Sequence, residues 1–294
     1  MTVSICPKAL RKFSNAIEKE IKAKPDIIYH YTSPSSLLSI IKNKEIWFSD
    51  VNFLNDETEN SYIYLSLKEF IDSNKQLYNQ NFCKYIEEFC DDCINDDGLF
   101  NVLYQKTYIS SFSISKDSLN LWNYYTKNDN HIGYNIGLDT QKFIKYSNEG
   151  DLLSLQGKVI YGNEFLYLLF EKLLNDIYKK FLTIDITYQS MLRDELFFNF
   201  NRYSMFFKDK HFESEQEYRL VWVTDINAKL REFNGFYIPY QIYTIPARSI
   251  KSIIISPTQN HKIATLGVKK LVDNYLEKYE KEIKIEISKI PLRY

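Results

Sequence analysis

The sequence predicts an α+β protein with small mixed or antiparallel sheets and flanking helices. Three observations predict it. The β-type runs 27–32, 45–49, 107–113 and 217–223 are short, and amphipathic helical runs are scattered between them. The order shows no regular βαβ alternation. Neither GxGxxG nor GxxxxGK[ST] occurs, which argues against dinucleotide-fold and P-loop chemistry.

The elements follow in chain order. Leu10, Phe13, Ile17 and Ile21 recur at helical spacing among charges and predict a helix over 8–22, broken by Pro25-Asp26. Ile27-Ile28-Tyr29-His30-Tyr31-Thr32-Ser33 reads as a buried strand that runs into a helix over 34–43. Ser33 is suited to cap that helix, and Pro34 to its first position. Leu37, Leu38, Ile40 and Ile41 are expected to line one side of it. Glu45-Ile46-Trp47-Phe48-Ser49 reads as a strand, and Asn55-Asp56 as the cap of a helix over 57–72. A further helix is expected over 79–95.

Strand character returns over 107–113. A short helix over 117–126 carries Leu121, Trp122 and Tyr125. Strands are expected at 132–138, which contains Gly133 and Gly137, and at 155–161. The stretch 164–208 reads as two helices meeting near Thr183, apolar on several sides. Strands at 217–223, 236–242 and 250–255, a helix over 262–278 and a strand over 282–288 complete the chain. The expected organisation is one domain, 1–294, with an N-terminal helix (8–22) and a helical insertion (163–209).

Composition excludes more than it assigns. Lys+Arg 37 against Asp+Glu 38 gives no global drive toward nucleic acid or an anionic membrane. No apolar run approaches the ~20 residues of a membrane span. The stretch 1–12 lacks a signal-peptide core, so a cytoplasmic protein is expected with no membrane partner. Tyr 24 and Phe 20 match an A/T-rich coding bias and are not read as stacking platforms. Of Cys6, Cys83, Cys90 and Cys93, the last two form a lone CxxC without a second pair to complete a zinc site. Helical spacing puts Cys83, Cys90 and Cys93 on one face, as packing residues. Asp50, Asn55, Asp56, Glu57 and Glu59 suggest a cation site, but capping and surface charge explain them, and no metal is expected.

Three pieces remain as candidate chemistry. His30 is the polar ring on a face it shares with Ile28 and Thr32. It either pairs within the core or looks into a cleft. Ser111 and Ser113 share a strand face. Glu215 and Glu217 lie on one side of an extended segment, with Arg219 on the face of Glu217. The plain alternative for the last group is a solvated strand edge with an ion pair worth roughly 0–1 kcal/mol.

The order His30, Ser111-Phe112-Ser113, Glu215-Gln216-Glu217 resembles the ADP-ribosyltransferase superfamily. The chain is also similar to the bacterial family called domain of unknown function 2971. That second resemblance runs through Tyr29 to Ser33, Ile46 to Asp50, Asn55 to Glu57, Ser111 to Ser113, Leu121 to Tyr125, Gly133 to Leu138 and Glu215 to Val221. The first resemblance implies a split sheet and NAD as a substrate in the cleft between its halves. It also implies cleavage of the nicotinamide–ribose bond, in a bacterial toxin or phage-defence setting.

On that reading Glu217 stabilises the positive charge that builds on the sugar carbon, and Glu215 orients or deprotonates the acceptor, a protein or a nucleic acid. His30, with Tyr31 and Thr32 beside it, binds a ribose hydroxyl. Ser111 or Ser113 supports Glu217 or the ribose, and Tyr31, Trp122 or Tyr125 stacks on nicotinamide. Ser-Phe-Ser departs from the superfamily's polar middle residue. The rival expectation is a noncatalytic module that senses a nucleotide or binds a protein with the same residues. A nucleic-acid-modifying role would need a basic groove, for which Lys208, Lys210, His211 and Arg219 are the candidates.

Overall fold

A computed structural model describes residues 7–54, 58, 61–95, 106–126, 132–145, 153, 155–185, 188–233 and 235–291. Cys6, and Asn55, Asp56, Glu57 and Glu59 of the suggested cap and cation site, lie outside them. The described residues fall into two compact units. One lies within 1–22, 54–105 and 158–212, the other within 23–53, 106–157 and 213–294.

The first unit is helical. It contains α1 (Pro7–Ile21), α3 (Tyr62–Ser73), α4 (Gln80–Asn95), α7 (Glu164–Phe181) and α8 (Gln189–Ser204). The apolar stripe of α1 (Leu10, Phe13, Ile17, Ile21) is buried throughout, against α7 and α8. Phe13 meets Phe200 with ring centroids 4.9 Å apart. Cys83 and Cys90 are buried on α4, and burial pushes both thiols up, the packing role expected of them. The stretch read as helical to residue 208 ends sooner. Phe207–Lys208 forms strand β7, parallel to β6 (Ile160–Tyr161).

The second unit is built on one ten-stranded sheet. Its strands are β1 (Ile27–Thr32), β2 (Glu45–Asp50), β3 (Lys106–Ser113), β4 (Tyr134–Asp139), β5 (Leu155–Lys158), β8 (Glu217–Thr224), β9 (Lys229–Phe233), β10 (Phe236–Thr244), β11 (Ile250–Ile255) and β12 (Lys284–Ile287). The α+β class stands, with a continuous mixed sheet in place of the expected small ones. The pairing of β11 with β12 is parallel, and the other registered pairs are antiparallel. The order β12-β11-β4-β1-β3-β2-β10-β9 is interrupted at β3. One edge of β3 pairs with β8 along its whole length. Its other edge is divided: Ser113 pairs with Tyr29 of β1, while Ile109 and Tyr108 pair with Ser49 and Asp50 of β2. The sheet therefore forks, with β1 and β2 parting from a common strand.

Helices α2 (Pro34–Asn43), α6 (Thr140–Lys145) and α9 (His261–Leu276) supply apolar residues to the core on one sheet face. Leu37, Ile40, Ile41, Phe143, Val268 and Val272 join Ile28, Phe112, Tyr218 and Leu220 there. On the opposite face Tyr31, Ile254 and two residues of α5 (Leu119–Thr126), Leu121 and Trp122, form a smaller cluster. Ser33 caps α2 as expected, with Ser36 N donating to Ser33 Oγ at 3.2 Å. Leu38 does not line the buried side of α2 but is exposed, because the buried stripe is completed by Leu37, Ile40 and Ile41. The expected strand 155–161 is two strands separated at Val159. Strand β9, which the sequence reading missed, is the sheet's last strand.

Candidate carboxylate site at the fork of the sheet

Alternation and register together decide which candidates meet. One row of neighbours crosses five strands on one face: Ser252, Gly137, Tyr29, Ser113 and Glu217. Ser111 and Arg219 form the next row on β3 and β8. Gly137 belongs in this row because a Cβ there would lie 2.3 Å from Ser252 Oγ and 3.2 Å from a ring carbon of Tyr29. Glu217, Ser111, Ser113 and Arg219 are thus brought to one place, the base of the fork. Glu215, expected on one side of an extended segment with Glu217, instead ends a 3-10 helix (Lys210–Glu215), because the left-handed Gln216 breaks the alternation between them.

His30 is not on this face. Across β4 and β11 its row is Ile136 and Ile253, both core residues. Its ring packs 5.6 Å from that of Phe112, the residue between the two serines. The same two-residue alternation that presents Ser111 and Ser113 to Glu217 turns His30 toward the apolar side. Its Nδ1 is buried and has no hydrogen-bond partner, although the residue as a whole keeps some surface. Burial lowers its pKa to about 4, against a smaller opposing pull from the Ser111 backbone. It is a neutral ring at neutral pH and does not share a wall with Glu217. Thr32 shares the face of His30 and is buried.

The carboxylate itself is tightly held. Arg219 is fully buried and the Glu217 side chain keeps 11 % of its surface. Arg219 Nε donates to Glu217 Oε2 at 2.9 Å, and a second guanidinium nitrogen donates to the same oxygen. Gln216, between the two glutamates, has φ 45°, in the left-handed region that a non-glycine residue enters at a cost. That bend is stitched to β3. Ser113 Oγ donates to Glu215 O at 2.8 Å, and Ile114 N donates to Gln216 O at 2.9 Å. Ser113 also accepts from Ser115 N at 3.0 Å. Its hydroxyl fixes the bend that presents Glu217 and is not itself turned to the carboxylate.

The aromatic candidates divide. Tyr31 OH donates to Ser115 O at 3.0 Å and accepts from Ser118 N at 2.9 Å, pinning the loop after β3. Burial raises its pKa. Trp122 is fully buried, its Nε1 donating to Asp117 Oδ1 at 2.7 Å, so it supports the loop and offers no face to a ligand. Tyr125 is 38 % exposed and lies over Tyr31 with centroids 6.2 Å apart, so it is the aromatic that a planar ligand can reach. The sequence reading missed two partners near this face, Lys116 and Glu286, which pair at 2.7 Å. Their separation along the chain gave no signal. A separate open cleft of about 340 Å³ lies in the helical unit, lined by Tyr62, Asn163, Glu164, Tyr167, Asp209 and Lys210. It contains Lys210 but none of the residues expected to bind NAD, and several of its polar groups pair with one another or with Glu69.

Residues 121–220 match the model of a family described as Protein of unknown function (DUF2971). Over that stretch the chain is similar to the DUF2971 family. The match takes in Trp122, Tyr125, Glu215, Glu217 and Arg219, and so includes the β8 side of the carboxylate site. No curated protein and no solved structure matches the chain.

Proposed function

We propose that this protein binds NAD at the fork of its sheet and breaks the nicotinamide–ribose bond, with Glu217 as the group that stabilises the ribosyl cation. The observation that carries this reading is the row Tyr29, Ser113, Glu217 at the point where β1 and β2 part from β3. Cleavage leaves positive charge on the anomeric carbon as nicotinamide departs with the bonding electrons. A carboxylate fixed in advance is suited to that charge, because it need not reorganise when the charge develops. The two donors from Arg219 supply the fixing. In this reading Glu215 accepts the proton of the attacking water or acceptor hydroxyl. Ser111 is a partner for a ribose hydroxyl, and Tyr125 offers a face to the nicotinamide ring. His30 has no part in this version of the site. In this reading the activity belongs to bacterial conflict or phage defence, the setting that the resemblance to ADP-ribosyltransferases implies.

The test is nicotinamide release from NAD by the intact protein beside Glu217→Gln, both shown to be folded by thermal melting. Release that depends on Glu217 supports the reading. Absence of both release and calorimetric binding at millimolar NAD sinks it. A second reading, a noncatalytic nucleotide-binding module, is favoured by the core position of His30 and the burial of Trp122. It predicts binding without nicotinamide release.

A further inference from the structure

The end of the sheet formed by β2, β10 and β9 carries a second surface, on the same face as the carboxylate site but on strands beyond β3. Register and alternation put Trp47 and Ser49 of β2, Phe236, Ile238 and Tyr240 of β10, and Lys229, Arg231 and Phe233 of β9 on one face. Phe236 is 70 % exposed, Phe233 54 % and Trp47 38 %. Exposure of three large rings on one strip is unusual for a solvated face. The guanidinium of Arg231 sits among them, 5.6 Å from the Trp47 ring centroid and 5.9 Å from that of Phe233. It donates to Ser49 Oγ at 3.0 Å, but its Nε is buried and has no acceptor. Trp47 is backed by Tyr240, 4.4 Å away between centroids, so its position is set.

We propose that this strip binds single-stranded nucleic acid, with bases stacked on Trp47, Phe233 and Phe236 and phosphates held by Arg231 and Lys229. Charge selects this occupant. Both ionised side chains that β9 presents on the strip are cations, while Glu232 points to the other face and accepts from the Gly235 amide at 2.6 Å. The carboxylate that shares the strip's face, Glu45, pairs with Thr244 and lies four residues along β10 from the Tyr240 row. Flat π faces beside an arginine suit a base-and-phosphate chain, because every base can stack. The inference stands independently of the NAD reading.

The experiment titrates the full chain into fluorescein-labelled oligothymidylate and, separately, oligouridylate at low salt, reading anisotropy. Tryptophan emission is followed in parallel. Trp47 is the exposed one of the three tryptophans, since Trp122 and Trp222 are buried, so a base stacked there quenches emission from this site. The expected result is saturable binding with quenching. Phe233→Ser and Arg231→Gln should each weaken it by about tenfold while leaving the melting temperature near that of the parent. Two phosphate contacts predict a log–log salt slope of about −1.4. The proposal is overturned by no saturable binding up to ~100 µM protein. Binding that both variants retain would overturn it too. So would a concentration-dependent self-association abolished by Phe236→Ser in the absence of oligonucleotide binding, which would make the strip a contact between copies of the chain.

Discussion

His30 shows how one ring can be conspicuous in the sequence and still serve the interior. Its folded pKa of about 4 lies below the ordinary 6.5. Below about pH 6.5 the unfolded chain therefore takes up a proton that the folded chain refuses. Stability from this residue is complete above that pH and is lost as pH falls toward about 4, by on the order of 3 kcal/mol. Urea unfolding of the parent should show that loss between neutral pH and about pH 4, and His30→Gln should flatten it. An unchanged pH profile in the variant would mean that the ring is solvated. Arg219 makes the opposite point, since a buried charge depends on its partner. Arg219→Met leaves Glu217 uncompensated and should cost about 3–5 kcal/mol. The double variant Arg219→Met with Glu217→Gln should recover part of that loss, measured as a coupling in a double-mutant cycle. The sequence did show that His30 shared a face with Ile28, but not that Ile136 and Ile253 would flank it. Those neighbours come from strands that local pattern cannot pair.

At the scale of the element, the bend before β8 and the glycine in β4 are the two places where backbone geometry is most specific. Gln216 holds a left-handed φ, so Gln216→Gly should be neutral or raise the melting temperature. Gln216→Val should lower stability by more than about 1 kcal/mol, because a β-branched residue adopts that region poorly. Gly137→Ala should destabilise by about 1–3 kcal/mol, since its Cβ would meet Ser252 Oγ at 2.3 Å. Thermal melts of each variant decide both. Most elements were legible for ordinary reasons. The stripe of α1, the cap at Ser33 and the β-branched and aromatic run of β8 are each set by residues close in sequence. Strand β9 was missed because Lys-Leu-Arg-Glu-Phe has no buried side to impose an alternating pattern. The bend at Gln216 was missed because its support, Ser113, is 102 residues from the carbonyl it holds.

At the scale of the whole molecule, the helical stretch 163–209 proves to be part of a unit that also uses α1, α3 and α4. Phe13 of α1 rests on Phe200, and Phe70 of α3 on Phe170. Excising 163–209 should therefore strip partners from buried aromatic and aliphatic residues and give an insoluble chain, or one that binds a hydrophobic dye. A soluble, cooperatively melting remainder would show that the stretch is a removable insertion. The sequence carried the amphipathic pattern of each helix, but not which helices share a core. Apolar stripes are interchangeable in composition and are sorted by shape.

The divided edge of β3 has one further effect. Between Ile109, joined to β2, and Ser113, joined to β1, the peptide groups of Ser110, Ser111 and Phe112 run along the crotch of a Y. Amides that point into that gap should trade their protons for deuterium sooner than those locked to β8 on the far side of the same strand. A guest wedged between the two limbs would slow that trade at the amides that face the gap.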